Sequence, residues 1–209
     1  MPPDDLSQIQ QSVLNFAARD QGRWDDLLQQ FHADGRIQVS WFRGPFARFV
    51  EASQRLAASS PVATKHLIWP PRVRVAGDRA VADTDVAIML RMPLRGQQAD
   101  LTSYARFHDW FERRETGWKA LRRVCIYERD RLDPVGDPTA FGSLRDELDL
   151  HSHPAQYRHL AGTLASLGAE ILPQVCAGSD EEQAIFASDQ RWLDEGAISG
   201  PMAIELAGA

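Results

Sequence analysis

Apolar residues in the first third of the chain recur three and four positions apart, which is the spacing of amphipathic helices. This spacing predicts helices over residues 6–20, 23–33 and 46–58. Residues 36–41 alternate polar and apolar, so we expect a short strand between the second and third helices. The positions expected to face inward include Phe16, Leu27, Phe31, Phe46, Phe49 and Leu56.

The pattern changes after the third helix. Four segments rich in Val, Ile, Thr and aromatic residues follow one another at 64–75, 80–92, 101–113 and 118–129, with a glycine-containing turn before each of the last three. Long strands in sequence order indicate an antiparallel sheet, and helices followed by strands are typical of a segregated α+β fold. We predict one strongly bent antiparallel sheet with helices on its concave face.

The last third of the chain has a different pattern. Residues 132–143 contain two prolines and two glycines, which indicates a linker, and helical spacing returns at 154–167 and 180–193. Because two short helices cannot form a core of their own, we expect them to pack on the main domain or a partner subunit, as a lid or a dimer extension. The expected division is an α+β domain over 1–133 and a helical appendage over 134–209.

Composition narrows the class of protein. The chain has 209 residues, 44% of them hydrophobic, and a formal charge of -6, which argues against nucleic acid or an anionic membrane as the main partner. Two cysteines are too few for a disulfide framework, and no apolar run approaches the length of a membrane span. The amino end has no basic region followed by an apolar one, so we expect a soluble cytoplasmic protein.

Two polar side chains stand where the pattern predicts buried neighbours. Asp20 lies about 20° from Ile9 around the first helix, at a carboxyl end where the macrodipole disfavours negative charge. A hydrogen bond to a backbone amide in the following turn would also explain its position. His66 shares a strand face with Thr64 and Ile68, so it is either a satisfied core residue or a general base oriented by a carboxylate. The residues alone leave these alternatives open.

Five segments carry a further signal: Arg19–Leu27, Phe31–Gly35, Thr64–Ile68, Phe107–Arg113 and Gly117–Lys119. Together they resemble the SnoaL-like branch of the nuclear transport factor 2-like superfamily, to which scytalone dehydratase and lindane dehydrochlorinase are related. The resemblance covers about residues 6–133. It implies a cone-shaped barrel in which the bent sheet wraps around the amino-terminal helices.

The resemblance also implies a catalytic site. In those enzymes a histidine matching His66 takes a proton, an aspartate matching Asp20 orients it, and an arginine matching Arg123 helps a leaving group to depart. Strand parity and the resemblance together predict a set of substrate-binding residues around the dyad: Asn15, Phe16, Thr64, Val86, Ile88, Ser103, Ala105, Phe107, Cys125 and Tyr127.

The chain departs from the dehydratase pattern at three places. Phe107 stands at its substrate-binding asparagine, Arg19 replaces the tyrosine before the dyad aspartate, and residues 86–90 lack its second catalytic histidine. An apolar or aromatic substrate fits this lining better than a hydroxyl-rich one. We predict a cofactor-independent lyase of the dehydratase type, which requires no metal. An isomerase or cyclase using the same pocket, and a protein that binds a ligand or assembles without catalysis, are the alternatives.

Two other groups of residues suggest interactions. His151, His153 and His159 could hold a metal, but the start of a helix with exposed histidines is the simpler interpretation. The alternate face of the third long strand is large and amphipathic, and it predicts a homodimer formed sheet to sheet, as is common in the superfamily. The residues on that face are Tyr104, Arg106, His108, Trp110 and Glu112.

Overall fold

The computed structural model describes residues 4–59, 62–94, 96–136, 142 and 148–197. Six helical segments and eight strands make up the described part of the chain. The helical segments are α1 (Asp5–Leu14), a 3₁₀ helix (Asn15–Gln21), α2 (Trp24–Leu28), α3 (Phe46–Ser59), α4 (Arg158–Ser166) and α5 (Asp180–Glu195). The strands are β1 (Phe31–Val39), β2 (Phe42–Pro45), β3 (Ala63–Ile68), β4 (Arg72–Ala76), β5 (Arg79–Leu94), β6 (Gln97–Arg114), β7 (Gly117–Val135) and β8 (Val175–Cys176).

The first predicted helix forms as two segments. The Asp4 side chain caps α1 by accepting a hydrogen bond from the Ser7 backbone N–H at 2.7 Å, and the 3₁₀ helix continues from Asn15. Gly22 ends it with a φ of 68°, a left-handed conformation that glycine adopts without strain. The 3₁₀ helix carries Phe16, Arg19 and Asp20, so it positions a large part of the candidate site.

The second predicted helix is too long, because α2 ends at Leu28 and Phe31 already belongs to β1. Phe31 is paired with Ala120 of β7, and its ring stacks on that of Phe46 with the centroids 3.7 Å apart. Pairing with a distant strand has therefore outweighed the local helical spacing. The third predicted helix is confirmed as α3, except that Leu56 is 44% exposed and Ser53 takes the buried position.

The strongly bent sheet is confirmed, with the strand order β2-β1-β7-β6-β5-β3 and with β4 on β5 and β8 on β7. Two register irregularities in the β6–β7 pair are of the kind that bends strands. The segment predicted as one strand over 64–75 is divided into β3 and β4 around Pro70 and Pro71, which donate no backbone hydrogen bond. The pair β1–β7 is parallel, a correction to the antiparallel prediction, since a long connection imposes no antiparallel direction.

Helices cover both faces of the sheet. Helices α1 and α3 contribute to the core on the concave face, and Leu160 and Ala161 of α4 join the same core. Helix α5 lies on the opposite face, which we call the outer face, where Trp192 packs in a cluster with Val81 and Trp110. Both appended helices thus pack on the main domain; α4 lies within its predicted range of 154–167, and α5 extends two residues beyond its predicted range of 180–193.

The outer face is the one for which the sequence predicts a homodimer. His108 and Trp110 are buried there, and the chain's own α5 packs against them. These two side chains are therefore not available to a second copy, because a segment of the same chain occupies their surface.

The start of the predicted linker differs from expectation. The predicted linker begins late, because residues 132–135 still belong to β7. Residues 137–141 and 143–147, and the tail from residue 198, lie outside the described residues. Within the described ranges, no helix combines the length and the apolar character needed to span a bilayer.

Candidate active site

The structure brings Asp20 and His66 into direct contact. Asp20 Oδ1 lies 2.8 Å from His66 Nδ1, and Asp20 Oδ2 accepts a hydrogen bond of 2.5 Å from the His66 backbone N–H. Both side chains are nearly enclosed, with 4% of Asp20 and 7% of His66 exposed. The carboxylate does bind a backbone amide, but that amide belongs to His66 on β3 and not to the turn after Asp20.

The surroundings favour a neutral imidazole beside an ionised carboxylate. Burial lowers the pKa of His66; Asp20 opposes the shift, and the nearby charges of Arg19 and Arg123 reinforce it. Burial acts to raise the pKa of Asp20, but its hydrogen bonds and charge interaction with His66 outweigh burial and leave that pKa below its usual value. With Nδ1–H donated to Asp20, the lone pair of Nε2 is free of any hydrogen bond to the described residues.

The predicted lining residues on the strands share the concave face of the sheet. In the antiparallel register His66 stands opposite Ile88, and Ile88 stands opposite Ser103. Along the strands, three further sets of opposed residues continue the same face: Val86, Ala105 and Tyr127; Thr84, Phe107 and Cys125; and Ala82, Asp109 and Arg123. The parity argument therefore selected residues of one face, on which His66 also lies.

Most of these side chains pack together in the core. The Phe16 ring lies between those of His66 and Phe107, with centroids 5.5 Å and 5.1 Å away. Asn15, Thr64 and Ile88 keep partial exposure. The predicted lining residues with at most 2% of their surface exposed are Phe16, Val86, Ser103, Ala105, Phe107, Cys125 and Tyr127.

Arg123 is part of a buried ion pair that sequence reasoning missed. Its guanidinium donates two hydrogen bonds to Asp109, at 2.7 Å and 2.8 Å, and lies over the rings of Phe107 and Phe16. One guanidinium nitrogen, Nη1, is buried without a hydrogen-bond partner among the described residues. Strand parity could have found Asp109, because it continues the face of Ser103, Ala105 and Phe107.

Arg19 is the second cation near the dyad. Its Nη1 lies 3.9 Å from Asp20 Oδ1, and its Nε donates a hydrogen bond of 3.3 Å to Ser53 Oγ. The sequence marked Arg19 only as a departure from the dehydratase pattern. The contact with Ser53 was not predicted, because α3 was expected to direct apolar residues inward.

Cys125 and Tyr127 have little capacity for chemistry in this environment. Burial raises the pKa of the Cys125 thiol to about 12 and that of the Tyr127 phenol well above its usual value. Tyr127 Oη accepts a hydrogen bond of 2.9 Å from the Ser40 backbone N–H, which fixes the ring. Both residues therefore act as packing groups in this structure.

The three carboxyl-terminal histidines do not assemble into a metal site. His151 is exposed, and His159 Nδ1 lies 2.8 Å from Asp130 Oδ1. Over the part of the chain that the structure describes, no three His, Cys, Asp or Glu side chains are arranged to hold a metal ion.

Comparison with known proteins places this fold in a family. A PEP2-like protein from Fusarium vanettenii is 27% identical over 157 residues, which are 74% of this chain and 66%, just under two thirds, of that protein. Two solved structures from Novosphingobium aromaticivorans are similar in fold. A provisionally named scytalone dehydratase is 14% identical, with a TM-score of 0.51 over 62% of this chain and 91% of the other. A provisionally named aromatic ring hydroxylase is 22% identical, with a TM-score of 0.50 over 65% and 96%.

The chain also matches a protein family directly. Residues 4–124, more than half of the chain, match the SnoaL-like domain. This range contains every residue of the candidate site except Cys125 and Tyr127. The chain therefore belongs to the SnoaL-like domain family.

Proposed function

We propose that this protein is a cofactor-independent lyase of the dehydratase type, acting on a small apolar or aromatic molecule. The observation that supports this proposal best is the pair of hydrogen bonds from His66 to Asp20, one from the ring at 2.8 Å and one from the backbone at 2.5 Å. The His66 backbone holds the Asp20 carboxylate in place, and the carboxylate in turn fixes the tautomer and the direction of the His66 imidazole.

The proposed reaction begins at Nε2 of His66. The neutral imidazole removes a proton from a carbon of the substrate, and Asp20 stabilises the imidazolium that forms. The electrons of the broken C–H bond form a carbon–carbon double bond as the leaving group departs with its own bonding electrons. The imidazolium then returns the proton to the leaving group. Arg123 would assist that departure through its unpaired Nη1.

The family supports this chemistry at a coarser level. SnoaL-like domains include enzymes of the scytalone dehydratase type, and one structural neighbour has that name. Its 14% identity supports the fold alone, so the choice of lyase chemistry rests on the dyad. An isomerase or a cyclase would start with the same proton abstraction, and the identity of the product separates these reactions.

Hydrogen exchange at carbon tests the first step without a known leaving group. Wild-type protein in D₂O is incubated with aromatic ketones such as 2-tetralone, and deuterium incorporation is followed by NMR. In Asp20→Asn the amide would donate to Nδ1 and move the ring proton to Nε2, so we expect exchange to fall about 100-fold or more. Asp25→Asn, on an exposed residue of α2, is the matched control and should exchange as the wild type does. Equal rates for wild type and Asp20→Asn would contradict the dyad.

A second candidate function follows from the packing of the interior. The Phe16 ring fills the space between His66 and Phe107, and an interior filled by its own side chains favours a protein that binds a ligand or assembles without catalysis. Stabilisation by an aromatic ligand, without hydrogen exchange or product, would favour this non-catalytic function.

A further inference from the structure

We propose that Arg19 binds a carboxylate, so that the substrates of the dyad are small aromatic or apolar carboxylic acids. This inference rests on the proposed function and narrows its substrate class. Three observations support it. The Arg19 guanidinium has few hydrogen bonds to the described residues, both oxygens of the nearby Asp20 carboxylate already accept hydrogen bonds from His66, and aromatic rings hold the guanidinium in place.

Arg19 lies beside a carboxylate that is already engaged. His66 donates to both oxygens of Asp20, at 2.8 Å and 2.5 Å, whereas the nearest guanidinium nitrogen of Arg19 is 3.9 Å away. Within the described residues, the Arg19 side chain makes one hydrogen bond, from Nε to the neutral Ser53 hydroxyl. Its two terminal nitrogens therefore have no close acceptor among the described residues.

The other arginines buried near the sheet have close acceptors among the described residues, which the terminal nitrogens of Arg19 lack. Arg122 donates to two backbone carbonyl oxygens. Arg123 has both oxygens of Asp109 within 2.8 Å, and Arg106 has a carboxylate oxygen of Glu128 at 2.7 Å. A largely buried cation normally acquires such a partner, because burial without one is costly. Arg19 has 12% of its side chain exposed and lacks this partner, which leaves a place for the carboxylate of a ligand.

Aromatic rings hold the Arg19 guanidinium. Its central carbon lies 5.8 Å from the centre of the Trp41 ring and 5.9 Å from that of Phe49. Contacts of this kind restrain a guanidinium while its N–H groups remain available, and the two terminal nitrogens form a fork that fits both oxygens of a carboxylate. Trp41 is itself only partly buried, so the cation is not sealed inside the core. The charge of a bound carboxylate would also offset the burial that lowers the pKa of Arg19.

The test compares acids with their neutral amides. Isothermal titration at pH 7 measures the binding of benzoate against benzamide, and of 1-naphthoate against 1-naphthamide, to the full-length chain. We expect the wild type to bind at least one acid about 10-fold more tightly than its amide, as charge-assisted hydrogen bonds predict. The wild-type comparison does not depend on the folding of any variant. Equal affinities for both acid–amide pairs, or no detectable binding of any of these compounds, would overturn the proposal.

Substitutions then assign the preference to Arg19. Arg19→Gln should remove the difference between acid and amide, whereas Arg19→Lys should keep part of it, because the charge remains and the fork is lost. Arg23→Gln is the matched control, since Arg23 is exposed and already bonded to Asp26, and it should bind as the wild type does. A full acid preference in folded Arg19→Gln would also overturn the proposal.

The binding test separates this inference from the proposed function. His66→Gln should lose hydrogen exchange and keep the acid preference, because Arg19 and not the imidazole contacts the carboxylate. Acid preference without exchange in the wild type would defeat the lyase and leave the Arg19 site standing. Exchange without acid preference would defeat the Arg19 site alone.

Discussion

At the scale of single residues, Asp109 and Arg123 form a buried ion pair in the core. Both side chains are almost fully buried, at 0% and 1% exposure, and the Arg123 guanidinium is enclosed by Phe16 and Phe107. Two charges removed from water are costly, and only their short mutual contacts offset that cost. Arg123 thus has a structural role, and its contribution to stability must be measured separately from any contribution to the reaction.

A double-mutant cycle measures this role. We expect Asp109→Asn to lower the free energy of unfolding by about 3–5 kcal/mol, because it leaves a buried cation with no compensating charge. The double variant Asp109→Leu with Arg123→Met should lose less than the sum of the single variants Asp109→Leu and Arg123→Met. Urea unfolding followed by circular dichroism gives these values.

The matched control for this cycle is the exposed pair of Arg131 and Asp133, which has the same two-bond geometry. Asp133→Asn should cost no more than about 1 kcal/mol, since solvent screens this pair. A similar loss for Asp109→Asn and Asp133→Asn would show that burial does not set the energy of the Asp109 pair.

At the scale of elements, His108 links α5 to the sheet. Its Nε2–H donates to Asp189 of α5 at 2.9 Å, and its Nδ1–H donates to Asp83 of β5 at 2.7 Å. Arg74 of β4 also lies 2.5 Å from Asp189. Burial acts to lower the pKa of His108, but the hydrogen bonds and charges of Asp189 and Asp83 outweigh burial and raise it to about 9. His108 is thus an imidazolium that bonds two elements together.

The raised pKa predicts a loss of stability in alkaline solution. The folded chain holds a proton on His108 that the unfolded chain releases above its ordinary pKa of 6.5. The stabilisation is therefore complete below about pH 6.5, declines as the pH rises, and is lost above about pH 9, with a total on the order of 3 kcal/mol. Urea unfolding at a series of pH values measures this decline.

His108→Gln should remove most of that pH dependence, because glutamine does not titrate. His159→Gln is the control, since His159 is partly exposed and bonds the single carboxylate of Asp130. If His108→Gln and the wild type declined equally between pH 6.5 and 9, another group would be responsible.

At the scale of the whole molecule, α5 occupies the outer face of the sheet. Trp192 is buried there and donates a hydrogen bond of 3.1 Å from its indole N–H to the Ala80 carbonyl oxygen. The helix covers a cluster of apolar side chains that otherwise would face solvent. A homodimer through the outer face stays a proposal, and it is limited to the part of that face near Tyr104, which α5 does not cover.

Release of α5 should therefore promote association. We expect Trp192→Glu to expose Val81, Trp110 and their neighbours and to raise the mass measured by light scattering as the protein concentration increases. Arg191→Glu, on the exposed neighbour of Trp192, should leave the mass of the wild type unchanged. A Trp192→Glu variant that keeps its secondary structure and the wild-type mass at every concentration would contradict this expectation.

Much of the fold follows from patterns that are local in the chain. The spacing of apolar residues located α1, α3 and α5, and the β-branched and aromatic segments located the long strands. Gly22 follows the first predicted helix and ends it, because glycine adopts the left-handed backbone there without strain. Asp20 and His66 were each conspicuous in their own segments, although the pairing of the two came from the family resemblance.

Only the tertiary structure decided which distant residues meet. Asp20 reaches His66 across 46 positions, and Arg123 reaches Asp109 on the neighbouring strand. Contacts between distant segments also decided the parallel pairing of β1 with β7, the open guanidinium of Arg19 and the burial of Trp110 under α5. Hydrophobic periodicity shows which face of a segment is buried, because the side chains of that segment determine its apolar face. The identity of the partner depends on sheet curvature, strand register and the path of the chain, which no single segment encodes.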